Sequence, residues 1–214
     1  MRSLFKSALA ATMLACLALY LVTTPANAEK KQTAQPQFQV TSSEFQNQTT
    51  LPISMINNIP YNGVNACSID GSPGGDESPD LEWTNVPAGT QSFVVVLYDV
   101  TAAFTHWGMY NISGTATGLP QNAGVAGSTY GQQMNNDAGS ASYFGPCPPA
   151  NYPPNVHHYQ FTVYALDTTL TLPESGNFPA TAETLYHALI NAGEFHHILA
   201  SARLVGFYST TPAK

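Results

Sequence analysis

The sequence predicts an all-β-dominated fold, a β-sandwich with a helical appendage at the C-terminus. Three observations carry this. Apolar, β-branched and aromatic runs of strand length recur at Ser92–Tyr98, Tyr159–Leu166 and Leu204–Tyr208. Between them lie stretches rich in Gly, Pro, Ser and Asp, with 16 glycines and 16 prolines in 214 residues. Helical spacing is confined to one segment, Thr181–Ala202. Many strands with few helices make a sandwich of packed sheets.

The elements follow in order. Met1–Ala28 reads as a secretory signal: Arg2 and Lys6, an apolar stretch Ala8–Val22, and Ala26-Asn27-Ala28 as the cleavage site. That stretch is short for a spanning helix and runs into Thr23, Thr24 and Pro25, so no stable membrane insertion is expected after cleavage. Met13-Leu14-Ala15-Cys16 is a poor lipobox. Residues 29–36 form a polar tail, and residues 37–210 the domain. Phe38–Ser43 alternates as a strand, and Pro52–Ile59 reads as another. Asn62–Asp80 is loop. Leu81-Glu82-Trp83 is a brief strand with Trp83 inward, and Val86–Thr90 a turn. Ser92–Tyr98, the most apolar run, belongs at the centre of a sheet. Thr105–Ile112 is a strand. Gly114–Ser142 has no apolar period and is long enough to suggest a lid or rim. Tyr159–Leu166 is a second central strand. Within Thr181–Ala202, Thr181 is a suitable N-cap and Gly193 divides two helices, the second including Ile198 and Leu199. Leu204–Tyr208 closes with a strand.

Charge narrows the partners. After cleavage, four basic residues face thirteen acidic ones, a net −9 with His neutral. Arg203 is the only Lys or Arg within the domain. Nucleic acid and anionic bilayers, which need clustered Lys and Arg, are therefore not expected partners. Cys67 and Cys147 survive processing, and in an oxidising compartment they most simply form a disulfide, two buried thiols being the alternative.

The stretch Tyr143–Asp167 concentrates candidate chemistry. Gly145-Pro146-Cys147-Pro148-Pro149 is too proline-rich for helix or central strand, so it is a stiff loop. His157 and His158 stand where the next strand begins. The chain then presents a series in fixed order. It runs Ser78-Pro79-Asp80-Leu81-Glu82-Trp83, Val86–Phe93, Tyr98-Asp99, His106-Trp107 with Asn111-Ile112, the Gly145–Pro149 loop, and His157-His158-Tyr159. This series resembles the phosphatidylethanolamine-binding protein family, also called the Raf kinase inhibitor protein family, its bacterial branch above all. The resemblance covers about Phe38 to Tyr208, and Cys67–Gly71 is similar to a Cys-x-x-x-Gly region of that branch.

The resemblance implies a Greek-key β-sandwich with one or two C-terminal helices and a small pocket for phosphate, acetate or a phosphorylated headgroup. Carried over by position, the pocket residues are Asp99, His106, Gly145, Pro146, His157 and Tyr159. Imidazole, phenol and backbone N–H groups can hold an anion without Lys or Arg, and Asp99 would fix a histidine tautomer. The chain departs from the family pattern after Asp99: Val100-Thr101-Ala102-Ala103 lacks a second acid and a proline corner. His158, His187, His196 and His197 read as surface or packing residues. No cofactor is expected, nor any catalytic residue: G-x-S-x-G and H-E-x-x-H are both missing. A hydrolase using His106 or His157 as base, a metal site from His106, His157 and Asp99, and a partner-binding sandwich with a vestigial pocket remain alternatives. A protein partner is allowed for but not identified.

Overall fold

The structure, a computed structural model, describes residues 36–173 and 179–211. The signal and most of the polar tail expected from the sequence lie outside the described residues.

Eleven strands and one helix follow the described chain: β1 (Gln39–Thr41), β2 (Thr49–Thr50), β3 (Pro60–Tyr61), β4 (Val64–Asn65), β5 (Leu81–Thr84), β6 (Ser92–Asp99), β7 (Phe104–Ser113), β8 (Gly118–Leu119), β9 (Gln132–Gln133), β10 (His157–Leu166), α1 (Ala182–Glu194) and β11 (Ile198–Tyr208). The large sheet has the order β2-β11-β10-β6-β7-β9, and a smaller one runs β1-β5-β8. β3 and β4 pair by themselves as a small hairpin.

β6 shows why its sequence is apolar throughout. Phe93, Val95 and Leu97 enter the core that also holds Trp83, Phe38 and Phe161. Val94 and Val96 enter a second core with Leu185 and Leu189 of α1. A strand buried on both faces needs no polar alternation. Gly108 in β7 permits the second core to close, since a Cβ there would stand 2.5 Å from Met134 Cε and 2.9 Å from Leu185 Cδ2. Trp83 points inward as expected, and its Nε1–H donates to Ala116 O at 2.7 Å.

Thr181 caps α1 as expected. Its hydroxyl accepts from Thr184 N–H at 3.3 Å, and the Thr184 hydroxyl accepts from Thr181 N–H at 2.8 Å. This reciprocal pair satisfies two otherwise orphaned donors.

Three expectations are corrected. The second helix expected through Ile198 and Leu199 is instead the start of β11, which pairs antiparallel with β10 from Leu166↔Ile198 to His157↔Tyr208. The chain leaves α1 through His196 at φ 60° and reverses onto the exposed edge of β10. A full ladder along that edge outweighs the helical spacing of two apolar residues. The strand expected over Pro52–Ile59 is a 3₁₀ turn at Ile53–Met55, in which Met55 N–H donates to Pro52 O and Ile56 N–H to Ile53 O. Met55 and Ile56 are consecutive and both buried, which an alternating strand beside solvent does not allow. Finally, Gly114–Ser142, expected as a plain loop serving as a lid or rim, contains two short strands. Its β8 extends the small sheet and its β9 the large one.

Candidate functional site

Asp99 ends β6 and His157 begins β10, and the antiparallel register sets Asp99 beside Tyr159. His106 lies on β7, the other neighbour of β6. Three adjacent strands thus bring four of the predicted site residues to one end of the large sheet. They line a hollow of about 210 Å³, with Ala102, Phe104, Phe144, Cys147, Pro148 and Pro149 completing the wall.

Asp99 is the organising group. It is 2 % exposed. Oδ2 accepts from His157 Nδ1–H at 2.6 Å. Oδ1 accepts from Thr101 N–H at 2.8 Å and Ala102 N–H at 3.1 Å. A buried carboxylate is tolerable only with such partners. Two of its donors come from the segment that departs from the family pattern, so that departure leaves the floor of the hollow intact. Thr101 adds a tie of its own, its hydroxyl accepting from His158 N–H at 3.0 Å. Tyr159 is buried against the same group. Burial first, then the nearby Asp99 charge, drives its phenol far above the usual tyrosine range.

His106 is held differently. Its Nδ1–H donates to Phe144 O at 2.7 Å, because a carbonyl oxygen can only accept. Its ring meets Phe104 at 4.8 Å and Tyr159 at 5.3 Å, both edge-on. Burial lowers its basicity from the ordinary 6.5, while the Phe144 carbonyl, Asp99 and Asp137 pull the other way. Asn136 secures the surrounding backbone: its Nδ2 donates to His106 O at 3.2 Å and Ser142 O at 2.9 Å.

Gly145 and Pro146 belong to the wall-forming loop but do not line the hollow. They face the 3₁₀ turn instead. Gly145 N–H donates to Asp76 Oδ1 at 2.7 Å, and Pro146 O accepts from Asn57 N–H at 3.1 Å. A Cβ on Gly145 would stand 2.4 Å from Met55 O. The next residues in the loop, Cys147 to Pro149, make the wall itself. Cys147 is bonded to Cys67 across a separation of 80 residues.

Sequence reasoning missed Phe104, Phe144, Asp76 and Asn136. Phe104, beside the short Asp99–His106 loop, and Phe144, beside the proline loop, were legible as neighbours of named motifs. Asp76 and Asn136 carried no signal, since polar residues in turn-rich segments are ordinary. Of the other histidines, His158 and His187 are exposed, with the His158 ring on Phe207 at 4.6 Å. His197 pairs with Asp167 outside the hollow. Among the described residues no group of three or more His, Cys, Asp or Glu is placed to hold a metal ion.

Comparison with known proteins gives the same picture. The family model described as phosphatidylethanolamine-binding protein matches residues 41–209. YbcL of Escherichia coli strain K12 is 36 % identical over 179 residues, 80 % of this chain and 87 % of that protein. The crystal structure of E. coli YbcL, described as a new member of the mammalian PEBP family, superposes with a TM-score of 0.64 at 33 % identity. It covers 81 % of this chain and 99 % of that one. A Mycobacterium tuberculosis protein named "Putative lipoprotein LppC" is 33 % identical over 138 residues, 63 % of this chain and 61 % of that one. With the sandwich, the ordered motifs and these relatives in agreement, the chain belongs to the phosphatidylethanolamine-binding protein family and is of its bacterial kind.

Proposed function

We propose that this protein binds a small anion, phosphate or a phosphorylated headgroup, in the hollow at the end of the large sheet. One observation carries the reading: His106 and His157 both line the hollow, each with Nδ1 fixed by a protein partner, which leaves each Nε2 for a ligand. Tyr159 and Asp99 set the floor, and the disulfide-tethered prolines set one wall. A volume of about 210 Å³ suits a small oxyanion with a short substituent.

Binding is preferred to hydrolysis on chemical grounds. Among the described residues no Ser or Thr lines the hollow, and the cysteine that does, Cys147, is in the disulfide. A histidine base without a nucleophile beside it does not make an acyl-transfer site. Water could still be activated, so a phosphatase and esterase panel is the proper control.

The protein is read as an envelope protein, periplasmic or secreted. The signal-like N-terminus, the Cys67–Cys147 disulfide and the lipoprotein name of one relative all favour this. A regulatory protein partner is compatible with the reading but not identified by any residue.

Titration with phosphate and phosphorylethanolamine, followed through the histidine NMR signals, tests the proposal. Shifts at His106 and His157 that saturate are the expected result. No shift at either ring at millimolar ligand would exclude the hollow as an anion site.

A further inference from the structure

β11 has an outer edge that the fold covers only at one end. Val205 shows which way that edge faces: its carbonyl accepts from Gln48 N–H at 2.7 Å, and its N–H donates to Asn47 Oδ1 at 2.9 Å. Phe207 O accepts from Leu51 N–H at 2.9 Å on the same side. β2 pairs only with Gly206 and Phe207. Backbone direction repeats every two residues along a strand, so Ser201 and Arg203 also turn their N–H and C=O groups away from β10. Among the described residues those groups have no hydrogen-bond partner. β1, at the end of the small sheet, is open in the same way. Trp83 N–H donates to Thr117 O, away from β1, so its pair Val40 turns its own N–H and C=O away from β5.

Both edges line one groove of about 630 Å³. Its floor is apolar: Phe38, Val40, Phe45, Ala202 and Leu204 belong to the core and also line the groove. Ser201 and Arg203 alternate with these residues and are exposed on the outer face. Arg203 is the only Lys or Arg between residues 36 and 211. No Asp or Glu lines the groove, and among the described residues Arg203 has no ion pair. A bare strand edge beside apolar surface is a template for another strand.

We propose that the groove accepts an extended segment of another protein, which adds to β11 as a strand. Its backbone pairs with Ser201 and Arg203 and continues the line of cover that β2 begins. Alternate side chains of the segment fall inward on Phe38, Val40 and Phe45. Those between point outward beside Arg203, and one of them carries a carboxylate. Charge selects this occupant. Residues 29–35 of the chain itself would bring Lys30 and Lys31 toward the arginine and offer no apolar alternation. A second copy pairing edge to edge would bring Ser201, Arg203 and Val205, none of them acidic. A foreign segment patterned apolar, acidic, apolar meets both the floor and the rim. The proposal does not involve the hollow.

Two blocked peptides test it: acetyl-Thr-Val-Glu-Val-Thr-Val-Thr-amide, and the same peptide with Lys in place of Glu. Each is titrated into the purified mature protein, with backbone amide exchange followed by NMR. The Glu peptide should slow exchange at the Ser201 and Arg203 N–H groups by at least about ten-fold. Ala202 and Leu204, whose N–H groups already face β10, should change little. The Glu peptide should bind about five-fold tighter than the Lys peptide, the upper range for an exposed ion pair. Arg203→Gln should bring the two within about two-fold. Ser201→Pro should remove binding, since Pro is tolerated on a strand edge but has no N–H to offer. If that variant loses its fold by circular dichroism, the exchange pattern and Arg203→Gln still decide. No protection of either amide at millimolar peptide overturns the proposal, as does equal binding of the two peptides. Protection of the same amides without peptide, rising with protein concentration, assigns the edge to a second copy and also overturns it. Self-association of Arg203→Gln, with no peptide binding by the unmodified protein, makes Arg203 a guard against edge pairing and has the same consequence.

Discussion

The two ends of β10 carry the same chemical pair and use it differently. At the start, His157 Nδ1 meets Asp99 Oδ2 at 2.6 Å; just past the end, His197 Nδ1 meets Asp167 Oδ1 at 2.8 Å. The first pair has side chains 8 % and 2 % exposed, the second 45 % and 38 %. Water screens the second and can replace either partner if one is lost. The first has no such substitute, and its carboxylate also serves two backbone N–H groups of the following loop. An identical contact is therefore a framework element at one end of the strand and a surface detail at the other. Burial, not the pair, makes the difference.

The largest effect expected at the hollow end concerns its tether. Replacing Cys67 and Cys147 together by Ser reopens a loop of 80 residues, which in the chain-entropy view costs about 4–5 kcal/mol of stability. Urea unfolding of the double variant measures this, and a loss below about 1 kcal/mol would mean that the wall holds without its bond. Next comes the buried pair. Asp99→Ala strips acceptors from His157, Thr101 and Ala102, and is expected to cost about 3–5 kcal/mol. The same unfolding assay reads it, and a cost equal to that of Asp167→Ala would erase the contrast between the two ends.

A pH effect sharpens the comparison further. Burial lowers the basicity of folded His106 from 6.5, so below that pH the unfolded chain takes up a proton that the folded chain resists. Stability then falls as pH drops below about 6.5 and recovers as it rises, the sign set by the greater proton uptake of the unfolded state. His106→Gln should flatten this part of the stability–pH curve. Asp76 acts with the opposite sign: burial raises its carboxyl above 3.8, so its contribution is present at low pH and lost as pH rises through the folded value. An unchanged slope in His106→Gln would show that the ring is not kept neutral by the fold. The smallest effect belongs to the exposed end, where Asp167→Ala should change stability by no more than about 1 kcal/mol.

Much of this was legible in the chain. β6 announced itself by SFVVVLY, since a strand covered on both faces needs nothing polar. Thr181 announced α1 because a cap is a local contact. The fixed order of short motifs pointed to the family and to Asp99, His106, His157 and Tyr159. β11 was legible only in its last five residues, because strand pairing is chosen by the edge that a strand finds, not by its own spacing. Gly145 and Pro146 were legible as part of a wall but not as its outer side, since the direction in which a loop faces depends on what packs behind it, here the turn at Ile53–Met55.

By itself the sequence determined the residue types, their order along the strands and the stiffness of the proline loop, because these depend on covalent structure and near neighbours. Tertiary structure alone decided which His–Asp pair is dry, which carbonyl stands behind His106, and which of the loop residues 145–149 form the inner wall. Those depend on segments distant in the chain meeting at one place, where burial multiplies the effect of every charge and every unpaired atom.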